Sequence, residues 1–276
     1  MIKLYNIDHF RLEDTFLCGQ CFRWKKDEDG VFRGVVQNHA VKMYYVDEKT
    51  IYVESSNPDL IYWSHYLSFS TDYNTVEDSF KDDENLKKCI DAGRGIRLLH
   101  QDLWETLVSF IISANNNIPR IQGIIEKLCQ LFGEEIQFDG NTYYGFPTAE
   151  RLAALELSDL APIKAGFRDK YILDAAKKVA SGEIDLNKIK TMNDTDAKKE
   201  LMKIKGVGSK VADCILLFAL QRYKTFPKDV WIKRIMEEDY GVPEKEIDSF
   251  IAEKFGNYAG IAQQYLYYYH AIKKSS

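Results

Sequence analysis

Apolar and polar positions change period once along the chain. From Phe16 to Glu54 they alternate or fall in short β-rich runs, TFLCGQCFRW, VFRGVVQ, AVKMYYV and TIYVES, divided by the turn clusters DEDG, NH and DEK. Runs of this kind predict antiparallel hairpins, hence a small N-terminal sheet in which Cys18 and Cys21 are strand residues. After Pro58 the spacing turns helical, over 59–69, 102–114, 119–132, 149–156, 169–181, 197–203, 209–221, 230–240, 246–255 and 258–272. The pattern predicts an α+β protein, with an antiparallel sheet domain and connecting helix over 1–80 and a mostly helical region over 81–276. The division rests on the acidic stretch TDYNTVEDSFKDDEN, read as a loop.

A chain of 276 residues, 45% hydrophobic and 13% aromatic, has enough apolar surface for a sizeable core. Its first residues lack the apolar segment of a signal peptide, and no apolar run approaches the roughly 18 residues of a membrane helix. The expected location is the cytoplasm. Five cysteines, an odd and scattered number, fit reduced thiols better than a disulfide framework. The Cys18–Cys21 pair lacks the second pair or histidines of a zinc site, and no further close cysteines suggest an iron–sulfur cluster.

The net charge of −5 does not advertise nucleic-acid binding. Residues 203–234, however, hold eight basic side chains (Lys203, Lys205, Lys210, Arg222, Lys224, Lys228, Lys233 and Arg234) against Asp213 and Asp229 alone. A basic face on an acidic body is therefore expected.

Within that segment, IKGVGSKVADCILLF sets Gly206 and Gly208 between two helices. By themselves these glycines read as a tight helix–helix turn. With the N-terminus of the next helix they also form a nest of backbone N–H groups suited to a phosphate. The following helix is apolar nearly all round, so Lys210 sits at the mouth of the core. Desolvation and the positive helix end there favour a neutral, nucleophilic amine, while a snorkelling first-turn lysine is the ordinary alternative. Nineteen residues on, in FPKDVWIKRIMEEDYG, Asp229 reads as an N-cap whose carboxylate can also face a site. In the last helix, Tyr258, Ile261, Ala262, Tyr265, Leu266 and Tyr269 follow core spacing. Gln263, Tyr267 and His270 fall on another face.

GVGSKVADCILLFAL followed by FPKDVWI resembles the helix-hairpin-helix glycosylases with a Gly/Pro-rich loop and catalytic aspartate, and specifically the 8-oxoguanine DNA glycosylases. The resemblance takes in CGQCFRW at 18–24, GIRLLHQDLWETLVSFIISANNNIPRI at 95–121, YGFPT at 144–148, AGFRDKYI at 165–172 and YAGIAQQYLYYY at 258–269. These segments cover nearly the whole chain, in order.

The resemblance implies that Lys210 attacks C1′ of the damaged nucleotide and forms a Schiff base, while Asp229 helps activate the amine and stabilises the oxocarbenium-like charge. It implies that the carbonyl of Gly19 attracts the N7–H of the oxidised base and repels the N7 lone pair of guanine; read alone, Gly19 is a strand-bulge glycine. Gln263 would read the Watson–Crick edge, with Tyr267, a position often occupied by Phe, on one side of the base. Cys214, otherwise a core residue, would lie on the other. Pro227 belongs to the same matched substrate loop. Asn115, Arg120 and Arg168 match residues that hold the orphaned cytosine. Phe167 takes a position usually held by a tyrosine wedge, Trp231 one where histidine is common, and Gly206 and Gly208 the DNA-backbone hairpin. The implied enzyme is a bifunctional glycosylase and lyase, a monomer with no metal or cofactor and no membrane, acting on double-stranded DNA containing 8-oxoguanine. A glycosylase for alkylated bases would use Asp229 without Lys210, and a noncatalytic hairpin-type DNA-binding protein would use neither.

Overall fold

The computed structural model describes residues 1–274. Strands β1 (Ile2–Tyr5), β2 (Lys25–Lys26), β3 (Phe32–Val36), β4 (His39–Asp47) and β5 (Thr50–Ser55) form one sheet in the order β1-β5-β4-β3-β2. Each neighbouring pair is antiparallel. Its inner face, with Phe32, Val41, Met43 and Val53, closes on Leu12 and Phe16 of α1 (Leu12–Phe16), on Trp24, and on Trp63 and Tyr66 of α2 (Leu60–Tyr66). Trp24 stacks on Phe16 at 3.8 Å. It also crosses Gly34 so closely that a Cβ there would lie 2.8 Å from the indole.

The CGQC segment is not a strand. Residues 17–24 form irregular bends between α1 and β2, and Gly19 has φ +81°, a turn conformation rather than a strand bulge. Cys18 and Cys21 are buried there as free thiols. The alternation arises because the segment runs between two cores, and a buried irregular chain can alternate as a strand does.

The acidic stretch after α2 is helical as well. Asp72 caps α3 (Tyr73–Asp78) by accepting from Asn74 N at 3.0 Å, and Asp83 caps α4 (Glu84–Gly93) by accepting from Leu86 N at 2.9 Å. The acids that read as loop residues are N-caps.

The helical region continues with α5 (Leu103–Ser113), α6 (Ile118–Phe132), α7 (Ala149–Ala153), α8 (Leu157–Leu160) and α9 (Asp169–Ala180). Between α6 and α7 lies a hairpin absent from the periodicity, β6 (Glu135–Phe138) and β7 (Asn141–Tyr144). It turns on Asp139-Gly140, both at positive φ, as a two-residue hairpin favours. Then follow α10 (Leu186–Thr191), also unforeseen, α11 (Asp194–Leu201), α12 (Ser209–Leu220), α13 (Val230–Tyr240), α14 (Ile247–Lys254) and α15 (Ala259–Tyr267). Helix α12 is buried continuously from Val211 to Phe218. It packs on α5, whose residues Leu103 and Thr106–Ile112 are buried.

The last helix departs from regular spacing: beyond Tyr267 it winds as a π-helix over Tyr268–Lys273. His270 lies within this wider turn, its Nε2 3.0 Å from Asp239 Oδ2.

Candidate active site

The hairpin joining α11 to α12 sets the geometry. Helix α11 begins earlier than its periodicity indicates, at an Asn193 cap, and ends at Leu201. Lys198 Nζ lies 2.7 Å from Asp213 Oδ1 and ties the two helices together. Gly206 holds φ +84°, and a Cβ there would approach Tyr171 Cδ2 of α9 to 2.5 Å. Gly208, the N-cap of α12, faces open space. The exposed turn thus presents backbone at the start of a helix whose first N–H groups have no intrahelical partner.

Lys210, in the first turn of α12, is half-buried, with Nζ 5.5 Å from the Phe110 ring centroid. Phe110 of α5 stacks on Phe218 of α12 at 5.4 Å, giving the amine a rigid aromatic floor. One turn further, burial pushes the Cys214 thiol up to about 11, against the opposing pull of the Lys210 charge. Asp229 caps α13, its Oδ1 accepting from Ile232 N at 2.9 Å. That bond leaves Oδ2 outside the cap.

These groups border one cleft of about 490 Å³, which Gly19, Asn115, Lys210, Cys214, Pro227, Asp229, Gln263 and Tyr267 all line. The volume falls within the range of roughly 300–1,000 Å³ usual for small-ligand sites. The 17–21 bend meets α15 here: a Cβ on Gly19 would lie 3.3 Å from Tyr267 Cε1 and 3.6 Å from Ile118 Cδ1. Burial, then the Asp229 charge, raises the Tyr267 phenol to about 12. Gln263 is 5% exposed, and its Oε1 is enclosed without a hydrogen-bond partner among the described residues. A buried carbonyl so placed costs free energy unless something else supplies a donor.

Outside the cleft, Arg120, Phe167, Gly206 and Gly208 are exposed. Arg168 is not. It is 2% exposed, and its guanidinium donates to the carbonyls of Ala114, Asn115 and Ala165. Those bonds hold the turn in which Asn115 takes a left-handed φ of +49°. Trp231 stands at the cleft wall, 42% exposed, with the Arg234 guanidinium 5.5 Å over its ring.

The basic segment is less basic in space than in sequence. Lys203 pairs with Glu200, Lys205 with Asp174, Arg222 with Asp194, Lys228 with Asp248 and Lys233 with Glu244. All five acids come from outside 203–234, where a linear count of that segment does not see them.

Sequence reasoning passed over Phe22, Phe110 and Gln264, which also line the cleft. The two aromatics look like ordinary core residues. Gln264 carried a usable signal, a second amide in an otherwise apolar helix.

Among the described residues no helix is long and apolar enough to cross a membrane. Residues 2–107 match the family model of the 8-oxoguanine DNA glycosylase N-terminal domain, and residues 108–258 that of the HhH-GPD superfamily base excision DNA repair protein. A probable N-glycosylase/DNA lyase of Methanothermobacter thermautotrophicus is 32% identical over 217 residues, 70% of this chain and 69% of that protein. The structure of MBOgg1 in complex with a low-affinity DNA ligand is similar at TM-score 0.94 and 43% identity, covering 99% of this chain and 96% of that one. The Clostridium acetobutylicum 8-oxoguanine glycosylase/lyase, in complex with double-stranded DNA containing cytosine opposite 8-oxoG, is similar at TM-score 0.91 and 40% identity, over 97% and 93% of the two chains. This chain belongs to the HhH-GPD superfamily of base excision DNA repair proteins, with an N-terminal domain of the 8-oxoguanine DNA glycosylase type.

Proposed function

We propose that the chain is a bifunctional DNA glycosylase and AP lyase that excises 8-oxoguanine from duplex DNA. The observation that carries this reading is the convergence of a first-turn lysine, a capping aspartate and an orphaned buried amide on one cleft. The damaged nucleotide leaves the stack and its base enters the cleft. Gln263 reads the Watson–Crick edge, its unpartnered Oε1 taking a donor from the base. The base lies between Tyr267 and Cys214, beside Pro227, with the Gly19 carbonyl accepting from N7–H.

As the N-glycosidic bond breaks, its electron pair leaves with the base and positive charge grows on the sugar. Asp229 stabilises that charge. Lys210 Nζ forms the new bond to C1′. Loss of the amine's protons and opening of the sugar ring give the Schiff base, and removal of a C2′ proton then expels the 3′ phosphate. No redox cofactor or metal is needed for these steps.

The hairpin at Gly206 and Gly208 grips the phosphate backbone, while Asn115 and Arg120 meet the orphaned cytosine. Arg168 acts through the Asn115 turn, and Phe167 fills the gap in the stack. We further propose that the protein acts as a monomer on chromosomal DNA in the cytoplasm. We also propose a two-part division of the chain near residue 80; the presence of two separate cores supports two parts, with Cys18, Phe22, Tyr73, Val76 and Phe80 packed in the helical core and Leu99 in the sheet core. Borohydride trapping on duplexes with defined lesions tests the reading. Covalent capture with 8-oxoguanine is the expected result, and no capture despite base release would instead fit a glycosylase that uses Asp229 alone.

A further inference from the structure

Neighbouring glutamines on α15 serve different walls of the same site. Gln263 lines the cleft with an orphaned oxygen. Gln264, 2% exposed, donates Nε2 to the Cys18 carbonyl at 2.7 Å. On the far side of Gly19, the Gln20 carbonyl accepts from Gln101 Nε2 at 2.8 Å. The fully buried Gln20 side chain donates to the carbonyls of Thr15 and Arg97, both at 2.8 Å, and accepts from Leu99 N at 2.9 Å.

The peptide between Gly19 and Gln20, which carries the Gly19 carbonyl, therefore lies between two peptides that are each held by a side-chain amide. Among the described residues the Gly19 carbonyl itself accepts no hydrogen bond. A peptide next to glycine flips readily, because glycine tolerates both signs of φ. A flip here would place an N–H where a carbonyl stood, and an N–H favours an N7 lone pair over an N7–H.

We propose that Gln264 is a positioning residue for base discrimination, holding the Gly19 carbonyl in place through its bond to the Cys18 carbonyl. This inference rests on the reading of Gly19 given above. It assigns part of the specificity to a side chain with its amide turned away from the base.

Two variants test it, Gln264→Met, which keeps volume without a donor, and Gln264→Glu, which regains a donor when its carboxyl is protonated. Single-turnover excision from an 8-oxoguanine duplex and strand cleavage at a preformed abasic site are measured in parallel, with thermal melts to establish folding. Gln264→Met should lower excision roughly tenfold, the weight of one lost hydrogen bond, and leave abasic cleavage unchanged. For Gln264→Glu, the ratio of excision to abasic cleavage should rise toward wild type as pH falls. Wild-type excision in Gln264→Met, or equal loss on both substrates, would overturn the proposal while leaving the functional reading intact. Failure of the wild-type protein to excise 8-oxoguanine would overturn both.

Discussion

The two ends of the cleft are built in different ways. The proposed chemical end, Lys210 and Asp229, is local: each residue opens a helix, and the two helices follow one another through a short connection. The proposed reading end is assembled across the chain, and the bond from Gln264 to Cys18 spans 246 positions. Activating an amine and placing a carboxylate need a helix start and a cap, which neighbouring residues can provide. Telling one base from another needs donors and acceptors fixed on several sides of a plane, which requires distant segments. The comparison predicts that damage to one end should separate cleanly from damage to the other.

The largest effect belongs to Lys210. Lys210→Gln should abolish base release and borohydride capture while lesion-duplex binding persists; undiminished trapping would place the nucleophile elsewhere. Asp229→Asn sharpens the same end, because asparagine caps a helix about as well as aspartate. The melting temperature should barely move, while single-turnover chemistry falls by about 100-fold or more from loss of the carboxylate charge. A large drop in melting temperature with nearly normal chemistry would make Asp229 a structural cap and no more.

At the reading end, Gln263→Ala should cost about 1–3 kcal/mol of transition-state stabilisation in excision. Cleavage at a preformed abasic site, which has no base to read, should be nearly unchanged. Equal loss on both substrates would mean that the ends are one mechanical unit, and the comparison would fail.

This contrast also explains what the sequence made legible. The helix starts at GVGSKVADC and FPKDVW could be read because a turn and a cap depend on neighbouring residues, and α12, α13 and the Gln263–Tyr267 face follow the predicted spacing. The CGQC bend could not, since its shape comes from Gln20, Gln101 and Gln264 bonds to partners far along the chain. The helices α3 and α4 were hidden because Asp72 and Asp83 serve loops and caps alike. The burial of Arg168 was not legible because its partners are main-chain carbonyls, which leave no mark on residue type.

The hairpin should behave as a third unit, acting on both substrates alike. Gly206→Ala forces a Cβ into Tyr171 at a left-handed φ, at a cost of roughly 1–3 kcal/mol in stability, and should weaken binding to lesion and abasic duplexes equally. Gly208→Ala meets no atom within 4 Å, so the fold should tolerate it. Any affinity it loses then reports DNA pressed against that position.

The smallest effect concerns salt. A count of eight basic residues in 203–234 suggests a steep dependence, yet five of them are paired with acids in the free protein. Surface pairs of this kind, each with at least one partner open to solvent, are worth only about 0–1 kcal/mol, so phosphates can displace the acids at small cost. Lys205 is the informative one: its amine is 3.6 Å from Asp174 and mostly exposed, beside the Gly206 turn. If it exchanges Asp174 for a phosphate, Lys205→Ala should flatten the plot of log affinity against log salt by about one. Excision under saturating protein should stay at the wild-type rate. An unchanged slope would mean that Lys205 remains with Asp174 when DNA is bound, and that backbone N–H groups, which release no counterion of their own, provide the grip at the hairpin.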